Sequence, residues 1–274
     1  MKYLLILLIL SSHTLRGQEL YPKNSKIPVA NILCWYKLTF VADSINRVEK
    51  TEYMRLYCAN NFSRFISDGA YRFDSLVTIA DAQGVGAINE DFDNKLVQIV
   101  TNHRTRFNFD IYKSQSNIIY YERLLTSLFF YQERLPANWV ISPSKMEING
   151  YACQLATTAY AGRKYEAWFT RAIPLAEGPY KFSGLPGLII KVYDTRKQYQ
   201  FELSKLDHLK VGMPIILPNR LAKQTTKQQL SKAKQDMKLN LPNIIASATQ
   251  GLTDDAKRTI RDKSKRDNNA IELR

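Results

Sequence analysis

The sequence predicts a mainly β protein with a few helices, an α+β chain built on a curved antiparallel sheet or half-open barrel. Three observations predict it. Apolar and polar residues alternate with period two in one run after another. Tight-turn signals, Asn149-Gly150 foremost, join neighbouring runs, and strands in succession with short turns make an antiparallel sheet. The helical patterns are few, and the late ones are too polar to form a core of their own.

Residues 1–17, MKYLLILLILSSHTLRG, set Lys2 before the apolar run Tyr3–Leu10 and end on small and polar residues. That is the order of a secretory signal peptide cleaved before Gln18; a buried N-terminal helix is the alternative. The run is far short of the ~20 apolar residues a spanning helix needs, and no further membrane segment follows. Residues 18–210 read as an antiparallel β domain. Residues 211–274 read as a helical, basic segment that packs on the sheet and frays at its end. The formal charge is +14. Residues 210–274 hold 14 Lys/Arg against 6 Asp/Glu. Such an end suits an acidic partner or anionic headgroups, a merely solvated charged end being the alternative; export removes nucleic acid as a partner.

The first hairpin is ILCWYKLTFVADSINRVEKTEYMRLYC, with Asp43-Ser44 opening its turn. A turn centred on Asn46 pairs residues whose numbers sum to 92. Cys34 then faces Cys58, Tyr36 faces Leu56 and Leu38 faces Met54 on one apolar face. Opposed Cβ atoms lie ~4.5–5.5 Å apart, near disulfide range, so a Cys34–Cys58 bond is expected, two buried free thiols being the alternative. Asn89–Thr101 has helical spacing, with Asn89 as a cap. Phe107, Phe109 and Ile111 run into a turn at 113–117, and Ile119 and Tyr121 return. Thr126–Glu133 adds a strand. Asn149-Gly150 joins Lys145–Ile148 to Tyr151–Tyr160, both turn positions favouring positive φ. Ala161-Gly162 leads into Lys164–Thr170. Leu188, Ile190 and Val192 then face one way, and after the turn 194–197, Tyr199, Phe201 and Leu203 come back on the same side. Gln224–Leu239 and a segment from Thr253 are polar helices.

No nucleophile elbow, zinc-protease motif or phosphate-binding glycine loop occurs,. His103 and His208 are the only histidines after the leader, and neither stands in a motif. Cys153 reads as a core residue. Glu166 beside Lys164 reads as a cross-strand surface pair. No catalytic residue, metal or cofactor is expected.

The stretch GPYKFSGLPGLIIKVYD, residues 178–194, is the most apolar corner of the chain. Leu185-Pro186-Gly187-Leu188 suits a type II turn feeding a strand, and Gly184 allows close backbone approach before it. Such a corner is either architectural or the rim of an apolar cavity.

GLPGLI at 184–189 resembles the signature of the GLPGLI family of exported proteins from Bacteroidetes-type bacteria. The block NGYACQLATTAYAGRKYEAWFTRAIPLAEGPYKFSGLPGLIIKVYD is similar to that family's central region, and YKLTFVADSI and TEYMRLY to its opening. The likeness covers roughly residues 30–240. Leu155 departs where the family commonly has Lys, and Arg171 and Ala172 where it has Pro and Glu. The family brings no catalytic assignment. Its resemblance implies a cell-envelope protein of the periplasm or outer envelope, similar in shape to periplasmic lipoprotein and lipid carriers. An apolar ligand or lipidated chain would then lie against Leu185, Leu188, Ile190, Val192, Tyr199 and Phe201, shaped by Gly184, Pro186 and Gly187. The alternative is a partner protein of an outer-membrane receptor or envelope complex, with no cavity.

Overall fold

The computed structural model describes residues 26–83, 90–114, 117–125, 127–135, 138–218, 222–248, 253–266 and 268–273. The expected leader, 1–17, and the expected cap Asn89 lie outside the described residues. Twelve described strands form one sheet: β1 (Val29–Val41), β2 (Glu49–Ala59), β3 (Phe62–Ser67), β4 (Phe109–Ser114), β5 (Asn117–Leu124), β6 (Ser127–Arg134), β7 (Val140–Ile148), β8 (Tyr151–Tyr160), β9 (Arg163–Thr170), β10 (Leu188–Asp194), β11 (Tyr199–Pro214) and β12 (Lys223–Gln224). The helices are α1 (Asp68–Gln83), α2 (Glu90–Asn102), α3 (Lys227–Ala248) and α4 (Asp254–Lys265). The sheet order is β12-β6-β5-β4-β3-β2-β1-β11-β10-β9-β8-β7. Every pairing is antiparallel except the short parallel contact of β12 with β6.

The sheet curls strongly. β6 and β8 stand second and eleventh in the order, which on a flat sheet would set them ~43 Å apart at ~4.8 Å per strand. Yet the Tyr160 hydroxyl of β8 donates to Glu133 of β6 at 3.1 Å. The chain also passes from Arg134, ending β6, to Val140, opening β7, a reach of at most ~21 Å. The two ends of the sheet therefore face each other, bridged by side chains. This is the expected half-open barrel, with β7 and β12 as its edges.

Alternation along the strands divides the apolar residues between two faces. The inner face collects Cys34, Tyr36, Leu38, Met54, Leu56, Phe65, Ile111, Tyr120, Tyr165, Phe201 and their neighbours. The outer face collects Leu33, Tyr57, Phe62, Ile66, Tyr112 and Tyr121, partly covered by Ala70 and Tyr71 of α1. Ile119 and Tyr121 thus return on the outer face; Ile118 and Tyr120 are the residues that join the inner core.

The first hairpin forms in a register two residues from the expected one. Cys34 pairs with Leu56, Tyr36 with Met54 and Leu38 with Glu52; Cys58 pairs with Ile32. The turn is the cause. Asp43 accepts backbone bonds from Ile45 at 2.9 Å and Asn46 at 3.4 Å, and its carbonyl accepts Arg47 N–H at 3.0 Å. That ring centres the loop on Ile45. An even slip leaves every side chain on its expected face, so Cys34 and Cys58 share the inner face as diagonal neighbours. Diagonal residues lie ~7–8 Å apart, outside disulfide reach. The expected bond is not made: Cys34, Cys58 and Cys153 are all buried free thiols. A thiol titration of the unfolded protein is expected to count three free thiols without reductant; a count of one would restore the pairing.

The two-residue turns form as expected, with φ of 51° and 77° at Asn149 and Gly150, and 47° and 82° at Ala161 and Gly162. α3 begins at Lys227, later than expected, because Lys223 and Gln224 pair with β6. Thr226 and Gln229 exchange side-chain and backbone bonds at 3.1 and 3.2 Å there, a capping box,.

Candidate functional site

Residues 177–187 do not form the expected type II turn, and none of them lines the cleft found among the described residues. Gly187 N–H donates to the Leu185 carbonyl at 2.8 Å, a three-residue turn about Pro186, and Leu188 N–H goes instead to Ile173. Gly187 has φ 147°, and a Cβ there would stand 2.0 Å from the Thr170 carbonyl oxygen. Gly184, with φ 87°, has nothing within 4 Å of its missing Cβ, so its need is conformational. The close backbone approach falls at Gly187, and Gly178 stands close to the Ile189 side chain.

The segment crosses the hollow of the curled sheet and fills it. Tyr180 packs on Phe109 of β4 and Phe201 of β11, with ring centres 5.4 and 6.3 Å apart; Phe182 packs on Tyr165 of β9 at 4.6 Å. The expected lining residues Leu185, Leu188, Ile190, Val192, Tyr199 and Phe201 are all 2% exposed or less. They belong to this core. Two lysines anchor the plug by polar bonds. Lys113 of β4 donates to the carbonyls of Gly178 (2.6 Å) and Phe182 (3.2 Å) and pairs with Glu177. Lys181 lies within the plug itself and is fully buried.

Around Lys181 the structure assembles a site that sequence reading missed. Its ammonium sits 4.6 to 5.9 Å from the ring centres of Tyr120, Tyr131, Tyr180 and Tyr160, a cation–π cage. It donates to the Tyr131 hydroxyl at 2.8 Å and pairs with Glu133 and Glu272, each at 2.5 Å. Lys227, opening α3, pairs with Glu272 from the other side at 2.6 Å. Tyr180 holds this position at φ 55°, a backbone region bulky residues rarely adopt,. A lysine inside the otherwise apolar run GPYKF was the one visible signal. The four tyrosines, from β5, β6, β8 and the plug, carried none.

Electrostatics moves the Glu272 carboxyl and the tyrosine hydroxyls in opposite directions. Burial disfavours the charged Glu272 carboxylate, but Lys181 and Lys227 outweigh it and hold the carboxyl down at about 2, against 4.5. Burial first, then the Glu272 and Glu133 carboxylates, push the Tyr131 and Tyr160 hydroxyls well up. Tyr160 and Tyr180, protonated, donate to the carboxylates, while Tyr131 accepts from Lys181. Because the folded carboxyl is depressed, its contribution is complete above pH ~4.5 and is lost as pH falls toward ~2; the shift corresponds to about 3 kcal/mol. Denaturant midpoints taken across that window are expected to fall more steeply for the wild type than for Glu272→Gln.

A second feature is an apolar cleft of about 290 Å³ between the 172–175 loop and the sheet, lined by Ile32, Tyr151, Ile173, Leu175, Leu206 and His208 among others. His103 lies elsewhere, with Nδ1 3.3 Å from Asp68. Glu166 accepts from its cross-strand neighbour Tyr193 at 2.8 Å. Burial pushes the Cys153 thiol up. Among the described residues no group of three His, Cys, Asp or Glu side chains could hold a metal, and no helix is long and apolar enough to cross a membrane.

Fold and site together define a protein of one open, curved, mainly β sheet whose hollow is occupied by its own chain. A family described as a protein of unknown function, Porph_ging, matches residues 156–191, which run from β8 through the plug into β10; it is a Bacteroidetes-associated family. No curated protein matches. Among solved structures, PNGF-II in its P21 and C2 crystal forms is similar to 74% and 73% of this chain at 9% identity, with TM-scores of 0.50 and 0.49. This chain spans 32% of the length of those chains, and the likeness is one of fold.

Proposed function

We propose that the protein is an exported, non-catalytic cell-envelope protein of the GLPGLI type, and that it docks a protein partner in the periplasm or outer envelope. One observation carries this reading over that of a lipid carrier: the hollow is filled. A lipid chain beneath β10 would have to displace Tyr180, Phe182 and Leu185, each 1% exposed or less. Interiors packed in this way lose several kcal/mol when large side chains leave, roughly 2–5 kcal/mol each.

The outer edge of β7 offers a place for such a partner. β7 ends the sheet, and Val140, Ile141 and Met146 are 70%, 43% and 49% exposed. An open strand edge takes an extended segment by adding a strand. Pro143 and Lys145 blunt its middle against indiscriminate pairing,. A second reading rests on the apolar cleft, whose 290 Å³ lies just under the usual range for small-ligand pockets; a short apolar ligand would suit it.

The test is direct. Extraction and mass spectrometry of the purified protein are expected to release no lipid, and a fluorescent fatty acid is expected not to bind. A photocrosslinker at Met146 is expected to trap one discrete protein in the envelope, and Ile141→Asp to abolish the adduct. Co-purifying lipid displaced from the plug would defeat the reading. Binding of the fatty acid that is lost on Ile173→Asp would favour the cleft instead.

A further inference from the structure

Residues 268–273 cross one end of the curled sheet as a strap with a bend at Ile271, and the contacts they make are those of a bound peptide. The Asn269 side chain donates to the Val41 carbonyl at 2.6 Å and accepts from Arg163 Nη2 at 2.6 Å. The next contacts read backbone alone. Tyr199 donates to the Asn269 carbonyl at 2.5 Å, Arg163 Nη2 to Ala270 at 2.6 Å, and Arg163 Nε to Ile271 at 3.1 Å. Glu272 then drops its carboxylate between Tyr180, Lys181, Tyr160 and Lys227. Leu273 N–H closes the strap on the Ala161 carbonyl at 2.8 Å.

The donors on the sheet side are positioned by other groups. Arg163, 5% exposed, is held by Asp194 at 3.1 Å and Gln198 at 2.7 Å. Lys181 is held by Tyr131 and Glu133. A row of fixed donors for main-chain carbonyls, ending in a cationic pocket for one carboxylate, is the physical form of recognition of an extended acidic peptide.

We propose that this groove is a peptide-binding site for an extended segment carrying a carboxylate three residues after an asparagine, and that the chain's own Asn268–Leu273 occupies it in cis. Main-chain contacts supply the affinity and the Lys181–Lys227 pocket the selectivity. An acidic segment from a partner gains the groove only by displacing the strap. This site stands apart from the β7 edge, and either can fail without the other.

The probe is a fluorescent peptide of sequence Asn268–Leu273, beside one with Glu272→Ala. Against full-length Asn269→Ala/Glu272→Ala protein, whose strap keeps its length but loses both anchors, the acidic peptide is expected to bind. The alanine peptide should bind about tenfold more weakly or worse, as loss of a charge-assisted contact dictates. The wild type, its groove filled, should bind the acidic peptide about tenfold more weakly than the variant does. If the double variant fails to fold, the wild type still decides. Hydrogen exchange at the Asn269 and Leu273 amides, bonded to the Ala42 and Ala161 carbonyls, is expected to quicken with excess acidic peptide and not with the alanine peptide. Equal behaviour of the two peptides, or no binding to a folded variant and no change in exchange, would overturn the proposal.

Discussion

Replacing Lys181 with Met is expected to destabilise the protein by about 3–5 kcal/mol, the cost of breaking a buried ion pair by removing one partner. Methionine fills a similar volume, so the loss reports charge and not a void. The change strands the Glu133 and Glu272 carboxylates, with side chains 20% and 13% exposed, beside the single cation Lys227. It also removes the cation from the four-tyrosine cage. Chemical denaturation followed by tyrosine fluorescence measures the effect. The double substitution Lys181→Met/Glu272→Leu leaves Glu133 with Lys227 and is expected to lose less than the sum of its parts, by ~2–3 kcal/mol of coupling. Strict additivity would mean the two groups do not act on each other.

Gly187→Ala is expected to prevent folding or to cost more than about 4 kcal/mol, the range reserved for clashes nothing can relieve. The added Cβ would stand 2.0 Å from the Thr170 carbonyl oxygen and 2.7 Å from its carbon. Both are backbone at the end of β9, where Thr170 pairs with Leu188. Gly184→Ala, in open space at φ 87°, is the control and is expected to cost only ~1–2 kcal/mol for the left-handed backbone. Soluble yield and urea midpoints separate the two. Within GLPGLI, then, the second glycine guards a contact and the first only a conformation.

Much of the sheet was legible because it is local. Alternation and the turns at Asn149-Gly150 and Ala161-Gly162 located β8 and β9 within a residue, and the second half of β7, whose first five residues, from Val140 on, went unread. The first hairpin was legible in its faces but not in its register, since one Asp43 side chain decided where the loop centres. β3 and α1 went unread. FSRFIS is buried on both faces in β3, which erases alternation, while α1 leaves Phe73 and Ile79 exposed, which blurs its apolar stripe. The corner at 184–189 was legible as apolar and rigid. Lining a hollow and filling one require the same composition, and only partners from distant strands, such as Phe109 and Tyr165, tell them apart. The strap carried no local signal at all: its recognition lies in Arg163, Lys181 and Tyr199, about a hundred residues earlier or less.

Strand β1 lies in the middle of the sheet, between β2 and β11. β2 through β6 are neighbours in sequence order, as are β7 through β11. Two self-contained meanders are therefore stitched by one seam, in which Cys34 meets Leu206 and Phe40 meets Tyr199. Apart from the β3–β4 connection of 41 residues and the β9–β10 connection of 17, each meander closes short loops, whereas the seam must close a loop of well over a hundred residues, and non-local pairing of that kind is slow. The seam sets the tempo of folding: until β11 is docked, both halves wait with an open edge, and that interval is when the molecule is most exposed to mispairing.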